Sequence, residues 1–190
     1  MKPTRLVFVL LPLLVGLTLI TLAQGDADSK IADAMSAGPA SIAENATIID
    51  WPNAEGAEMT VLREGTNGWV CYPSNPLVVA EGDEDPMCLD EVWQGWIEAL
   101  LAGESPTIER LGIAYMLRGD AGTSNIDPTA TGPTDGNEWY VAGPHIMLLM
   151  PGLNYEGIST DHASGGPSVM WPDTPYAHIM VPISGDEVHP

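Results

Sequence analysis

Apolar positions along the chain follow two periods. Leu89, Val92, Trp93, Trp96, Ile97, Leu100 and Leu101 recur at spacings of three and four, which places them on one stripe of an α-helix. Asp90 and Glu91 stand in its first turn, where the helix dipole favours negative charge, and Gly103 suits the position just past its end. The stripe predicts one long amphipathic helix over about residues 88–102, with two tryptophans turned into the core. The other apolar runs are short and bounded by Gly or Pro. Residues 59–63, 69–72, 111–117, 145–150, 168–171 and 177–183 read as strands. Gly65-Thr66-Asn67-Gly68 separates the first two and carries a turn signal, so that pair is expected to form a hairpin. Residues 30–35 read as a short helix stopped at Gly38-Pro39. The polar stretches 119–136 and 152–167 read as loops, the first long enough to be functional or mobile. The expected fold is α+β, a mainly antiparallel sheet with the helix packed on a face.

The N-terminus follows a different pattern. Lys2 and Arg5 precede an apolar run over 6–22, and Ala23-Gln24-Gly25 then places small residues at the −3 and −1 positions of a cleavage site. This is the layout of a secretory signal peptide. The competing reading is an uncleaved anchor, since the run is at the short limit of a membrane span. Acidic, polar sequence follows at once, and no cysteine near the junction would take a lipid. The chain therefore divides into a signal peptide (1–25), an N-terminal segment (26–44), one α+β domain (45–185) and a short tail (186–190). The expected location is the periplasm or the extracellular space. No second apolar run is long enough for a stable membrane span once the signal is removed.

Charge narrows the partners. Of 190 residues, 26 are acidic and 6 basic, for a formal charge of −20. Cleavage after residue 25 would leave those acids facing only Lys30, Arg63, Arg110 and Arg118. Nucleic-acid binding needs a basic face that displaces counterions, and none can be built here. Electrostatic anchoring on anionic lipid fails on the same ground. The acids are spread along the chain as a solvated surface would be. The one dense run, residues 81–85, lacks the ligand register of an EF-hand loop. Cys71 and Cys88 are the only cysteines. In an exported chain their default state is a structural disulfide rather than a redox pair or a zinc site.

One motif carries chemistry. His-Ile-Met occurs at residues 145–147 and again at 178–180, each time inside an expected strand. Residues two apart share a strand face, so His145 points with Met147 and His178 with Met180. If the strands were neighbours, imidazole and thioether donors would converge, the ligand set that copper, and Cu(I) above all, prefers to harder cations. Met170 and Trp171 lie close in sequence to the second motif. The competing reading is core packing, because methionine is an ordinary core filler. Catalysis has fewer supports. No Gly-x-Ser-x-Gly elbow, His-Glu-x-x-His or phosphate loop is present. Ser159-Thr160-Asp161-His162 sits in a polar loop, where adjacent residues converge poorly into a triad. Arg118-Gly119-Asp120 reads as a turn at a strand end.

These segments together resemble a family of small exported bacterial proteins of unknown function. The resemblance rests on Asp50-Trp51-Pro52, Gly65-Thr66-Asn67-Gly68-Trp69-Val70-Cys71 and Asp85-Pro86-Met87-Cys88-Leu89-Asp90. It continues through Gly112-Ile113-Ala114-Tyr115-Met116-Leu117, Gly143-Pro144-His145-Ile146-Met147-Leu148-Leu149 and Pro175-Tyr176-Ala177-His178-Ile179-Met180-Val181-Pro182. It covers about residues 30–183 and implies a bacterial exported single domain, but brings no activity and no catalytic residues. The sequence thus favours a non-enzymatic exported domain that binds a ligand, a metal or a protein partner, with His145, Met147, His178 and Met180 as the candidate copper ligands. The alternatives are a secreted hydrolase with His145, His162 or His178 as base, and a structural envelope protein.

Overall fold

The computed structural model describes residues 25–54, 56–78, 80 and 83–183. Nearly all of the expected signal peptide, and the expected tail, lie outside the described residues. A helix over residues 25–36, α1, is followed after Gly38-Pro39 by the short helix α2, Ala40–Ala43. The strands are β1 (Thr47–Asp50), β2 (Thr60–Arg63), β3 (Val70–Tyr72) and β4 (Met87–Leu89), then helix α3 (Glu91–Ala102) and β5 (Gly112–Met116). After them come β6 (Thr123–Ser124), β7 (Trp139–Tyr140), β8 (His145–Leu149), β9 (Ser168–Met170) and β10 (His178–Pro182). Eight strands form one mixed sheet in the order β2-β1-β3-β4-β5-β8-β10-β9, and β6 pairs with β7 as a separate ribbon. Every pairing in the sheet is antiparallel except β1 with β3. The fold class is mixed α+β, dominated by this sheet.

Two local expectations are corrected. The strands at 59–63 and 69–72 form but do not make a hairpin, because β1 lies between them. Its four residues are too short a run to stand out in the sequence. The turn that reads as a hairpin wraps instead around the start of β1. Gly65 N donates to Thr47 Oγ1 and Thr66 N donates to Asn45 O. A Cβ on Gly65 would lie 2.1 Å from Thr47 N, so only glycine allows this close crossing. The helix expected from about residue 88 begins at Glu91, because residues 87–89 are taken by β4. Leu89 therefore belongs to a strand, Leu101 is exposed, and the buried stripe reduces to Trp93 and Trp96 with Val92, Ile97 and Leu100 partly covered. With α1, of which residues 25–36 are described, the chain also has a second helix.

The two faces of the sheet are covered by different elements. Alternation along β3 and β4 sends Val70, Tyr72 and Leu89 to the α3 side, and Cys71 and Cys88 to the side packed by Ala34 and Ala37 of the N-terminal helical segment. Cys71 and Cys88 are directly opposite across the β3–β4 ladder and form a disulfide. A Cβ on Gly38 would meet Cys88 Sγ at 3.0 Å, so the chain leaving α1 passes close over the bridge. On the other face Asp90 fixes α3. Its Oδ1 accepts from Val92 N and Trp93 N, both at 3.0 Å, and its Oδ2 accepts from Ile113 N of β5 at 2.8 Å. One carboxylate thus caps the helix and ties it to the sheet. Gly103 closes the other end in the left-handed conformation.

The 119–136 stretch is not a free loop. β6 pairs with β7, Ser124 and Asn125 are buried, and Trp171 holds the segment from β9 through Nε1 to Ser124 O at 2.7 Å and through its backbone N to Asn125 O at 2.8 Å.

Two stability predictions follow from these ties. Replacing both cysteines (Cys71→Ala with Cys88→Ala) should lower the unfolding free energy by about 3 kcal/mol through the lost constraint on the unfolded chain, read by chemical denaturation. Asp90→Ala should cost about 2 kcal/mol, above an ordinary cap, because the lost acceptor also serves β5. Asp90→Asn, which keeps an acceptor, should recover part of it.

Candidate functional site

Between α3 and the sheet lies a cavity of about 350 Å³. Its floor is the α3-side face of β5, β8, β10 and β9, and its walls include Trp93, Trp96 and Trp171. Exposed Val78 and Thr131 stand at its rim. Strand alternation decides which residues reach the floor. On β8 these are His145 and Met147, and on β10 His178 and Met180, all buried.

The two His-Ile-Met segments are immediate neighbours. β8 and β10 pair antiparallel, with Met147 directly opposite Met180. All four residues expected as ligands therefore line one cavity. They do not form a compact square. His145 lies opposite Pro182, four residues along β10 from His178, so the two histidine backbones are offset by about 13 Å along the strands. The Met147–Met180 pair lies between them.

Both imidazoles are held by the same device. His145 Nδ1 is 2.7 Å from Gly143 O, and His178 Nδ1 is 3.0 Å from Tyr176 O, in each case the carbonyl two residues back. A carbonyl only accepts, so each Nδ1 carries the proton and donates. In the neutral ring Nε2 is then the lone-pair nitrogen. Both Nε2 atoms are buried without a hydrogen-bond partner among the described residues. Burial pushes both histidines down to about 4, the carbonyl bonds opposing it only in part and His145 lowering His178 a little further, so the neutral form is the resident one at neutral pH. His178 meets the rings of Trp93, Trp96 and Trp171 edge to face at 5.2–5.6 Å.

Sequence reasoning missed several parts of this site. Met116 of β5 is the direct cross-strand partner of His145, and Met170 of β9 that of His178. Both are buried and line the cavity. Their Ala-x-Met and Ser-x-Met contexts carry no signal by themselves. The indole Nε1 atoms of Trp93 and Trp96 are also buried without partners among the described residues. Two carboxylates complete the lining. Asp85 accepts from Asn75 N, and Asp120 Oδ1 accepts from Gly122 N and Ala142 N, both at 3.0 Å. Burial raises each to about 6. Asp120 of the Arg-Gly-Asp turn thus faces inward, while Arg118 is paired with Glu84.

The loop around His162 offers no triad. Asp161 caps Ala163 N, Ser159 Oγ accepts from Asp161 N, and His162 stacks on Tyr140 with centroids 4.0 Å apart. Among the described residues no group of three or more His, Cys, Asp or Glu side chains is placed to hold a metal ion, so any metal at this cavity would need thioethers in its sphere. No family model, curated protein or solved structure matches the chain.

The buried acids and histidines oppose one another in pH. An unfolded Asp titrates near 3.8, so between there and 6 the folded chain holds protons the unfolded chain has lost, and stability falls as pH rises. An unfolded His titrates near 6.5, so between 4 and there the unfolded chain holds the extra protons, and stability rises with pH. The two effects offset in the native chain. Asp120→Asn keeps both backbone bonds on Oδ1 and removes one falling contribution. Its stability relative to the native chain should grow by about 2–3 kcal/mol between pH 4 and pH 7, measured by urea unfolding at each pH. A difference that does not change with pH would overturn the assignment.

Proposed function

We propose that this chain is an exported binding protein whose cavity holds a soft cation, copper(I) above all, on His145, Met147, His178 and Met180. One observation carries the reading: two imidazoles whose buried Nε2 atoms have no hydrogen-bond partner among the described residues line one cavity together with methionine side chains. A buried acceptor without a partner is costly, and bound metal would remove that cost. Nδ1–H donation to a backbone carbonyl is the outer-shell bond that metal-ligating histidines characteristically make. Neutral nitrogen and thioether donors suit a monovalent soft ion better than calcium, magnesium or zinc.

The compartment fits this reading. The Cys71–Cys88 disulfide is compatible with an oxidising, exported location. No helix among the described residues is long and apolar enough to cross a membrane. Partners other than nucleic acid, namely a small ligand, a metal or a protein, agree with the acidic surface.

A second reading rests on a separate observation. The cavity is larger than one ion needs, and two indole N–H donors stand unpaired beside the two imidazole acceptors. A small, flat, largely apolar molecule with both donor and acceptor groups would satisfy all four. The hydrolase reading has less support, since neither Nε2 forms a bond to a nucleophile.

The deciding experiment is an anaerobic Cu(I) competition titration against a chromogenic chelator, with the His145→Ala/His178→Ala double variant beside the native chain. Copper held by the native chain and at least a hundredfold weaker binding by the double variant is the expected result. A native chain that takes no Cu(I) overturns the copper reading. In that case, displacement of a fluorescent apolar probe from the cavity tests the small-molecule one.

A further inference from the structure

The two histidines are related by more than a repeated tripeptide. In the strand order β5-β8-β10-β9, the Met147–Met180 pair marks a local two-fold axis normal to the sheet. Rotation about it carries β8 onto β10 and β5 onto β9. His145 then falls on His178, and the cross-strand partner of one, Met116, falls on that of the other, Met170. Ala114 lies beside Met147, and its counterpart Ser168 lies beside Met180, both small and buried. The carbonyl holding each Nδ1 obeys the same rotation, being two residues back in both cases.

The donors therefore form a diagonal across four strands: Met116 with His145, Met147 with Met180, His178 with Met170. Directly paired residues have Cβ atoms about 5 Å apart, and diagonal neighbours about 7–8 Å, within reach of flexible methionine side chains. Each histidine has one methionine beside it across the strand and two more in the central pair. The histidine backbones are offset by about 13 Å along the strands, and although the rings are near enough for His145 to lower His178, each has its own methionine directly across the strand. We infer that the cavity binds two copper(I) ions in equivalent half-sites, one on His145 and Met116, the other on His178 and Met170, with Met147 and Met180 as the shared inner donors. This rests on the soft-cation reading above and adds the stoichiometry and two further ligands.

The half-sites differ in one respect that an experiment can use. Trp93, Trp96 and Trp171 surround His178, and no tryptophan ring stacks against His145 among the described contacts. An ion at the His178 half-site lies among indole rings and should quench their emission, whereas one at the His145 half-site should quench less.

The test loads the full folded chain anaerobically with Cu(I), and in parallel with redox-inert Ag(I), and counts bound ions by native mass spectrometry while following tryptophan emission. Met→Leu conserves volume and removes only the donor, so folding is preserved. The native chain should hold two ions. Met116→Leu should hold one and keep most of the quenching. Met170→Leu should hold one and lose most of it. A single ion in the native chain, unaffected by either outer leucine but lost in the double histidine variant, would overturn the two-site inference and leave the single-site reading standing. Two ions retained by both leucine variants would overturn the roles of Met116 and Met170. A native chain that binds no ion at all would overturn the soft-cation reading together with this inference.

Discussion

The pairing of Met147 with Met180 is the contact on which the rest of the site depends. Side chains alternate along a strand, so a slip of one residue between β8 and β10 would turn both histidines to the opposite face. Several features hold the register. Ile179 opposite Leu148 and Val181 opposite Ile146 occupy the other face of the same ladder. Ile183 N donates to Pro144 O just beyond it. β5 and β9 clamp the outer edges, so neither histidine strand is an edge strand. The cavity then needs only a roof, which Asp90 provides by setting α3 on β5 at the height of its two buried tryptophans.

Most of the unmet bonding lies around the α3-side cavity, with Asp50 Oδ1 and Asn125 Oδ1 elsewhere among the described residues. The face with α1 and the disulfide is packed by alanines, Ile48 and the two half-cystines. The α3 face collects orphaned polar atoms: two imidazole nitrogens and two indole N–H groups around one cavity. A sequence selected for stability alone would fill those positions with hydrocarbon, since a buried polar group without a partner destabilises the fold by about 1–3 kcal/mol. That concentration of unmet bonding is the observation from which the proposed ligand is argued.

Much of this arrangement was legible in the sequence, for identifiable reasons. The tryptophan helix shows through its period, its acidic first turn and its terminal glycine. The paired His-x-Met strands show through alternation, which correctly puts each histidine and methionine on one face. What local pattern cannot carry is which strands are neighbours. β1 is too short to stand out from its surroundings, and its insertion turns an expected hairpin into a crossing at Gly65. The places of Met116 and Met170 beside the histidines do not show for the same reason, although Met170 is near the second motif in sequence, since each has its partner 29 or 8 residues away in the chain and only the sheet brings them alongside. The polar stretch after β5 reads as a loop, functional or mobile, because nothing local reveals that Trp171 holds it from the far edge of the sheet.

Charge and cavity make sense together when followed from outside inward. The surface is strongly acidic, and such a field raises the local concentration of cations of every kind. It cannot choose among them. On the proposed function, selection would fall to the cavity, where Asp85 and Asp120 accept backbone N–H donors and burial raises each to about 6. Hard divalent ions would have to exchange water for thioethers and indole walls, which do not repay the dehydration. On the proposed function, a soft monovalent ion would lose less on leaving water and would gain nitrogen and sulfur donors. An acidic exterior that collects cations without discrimination, joined to an interior of imidazole, thioether and indole groups, is the combination a selective copper(I) carrier would need.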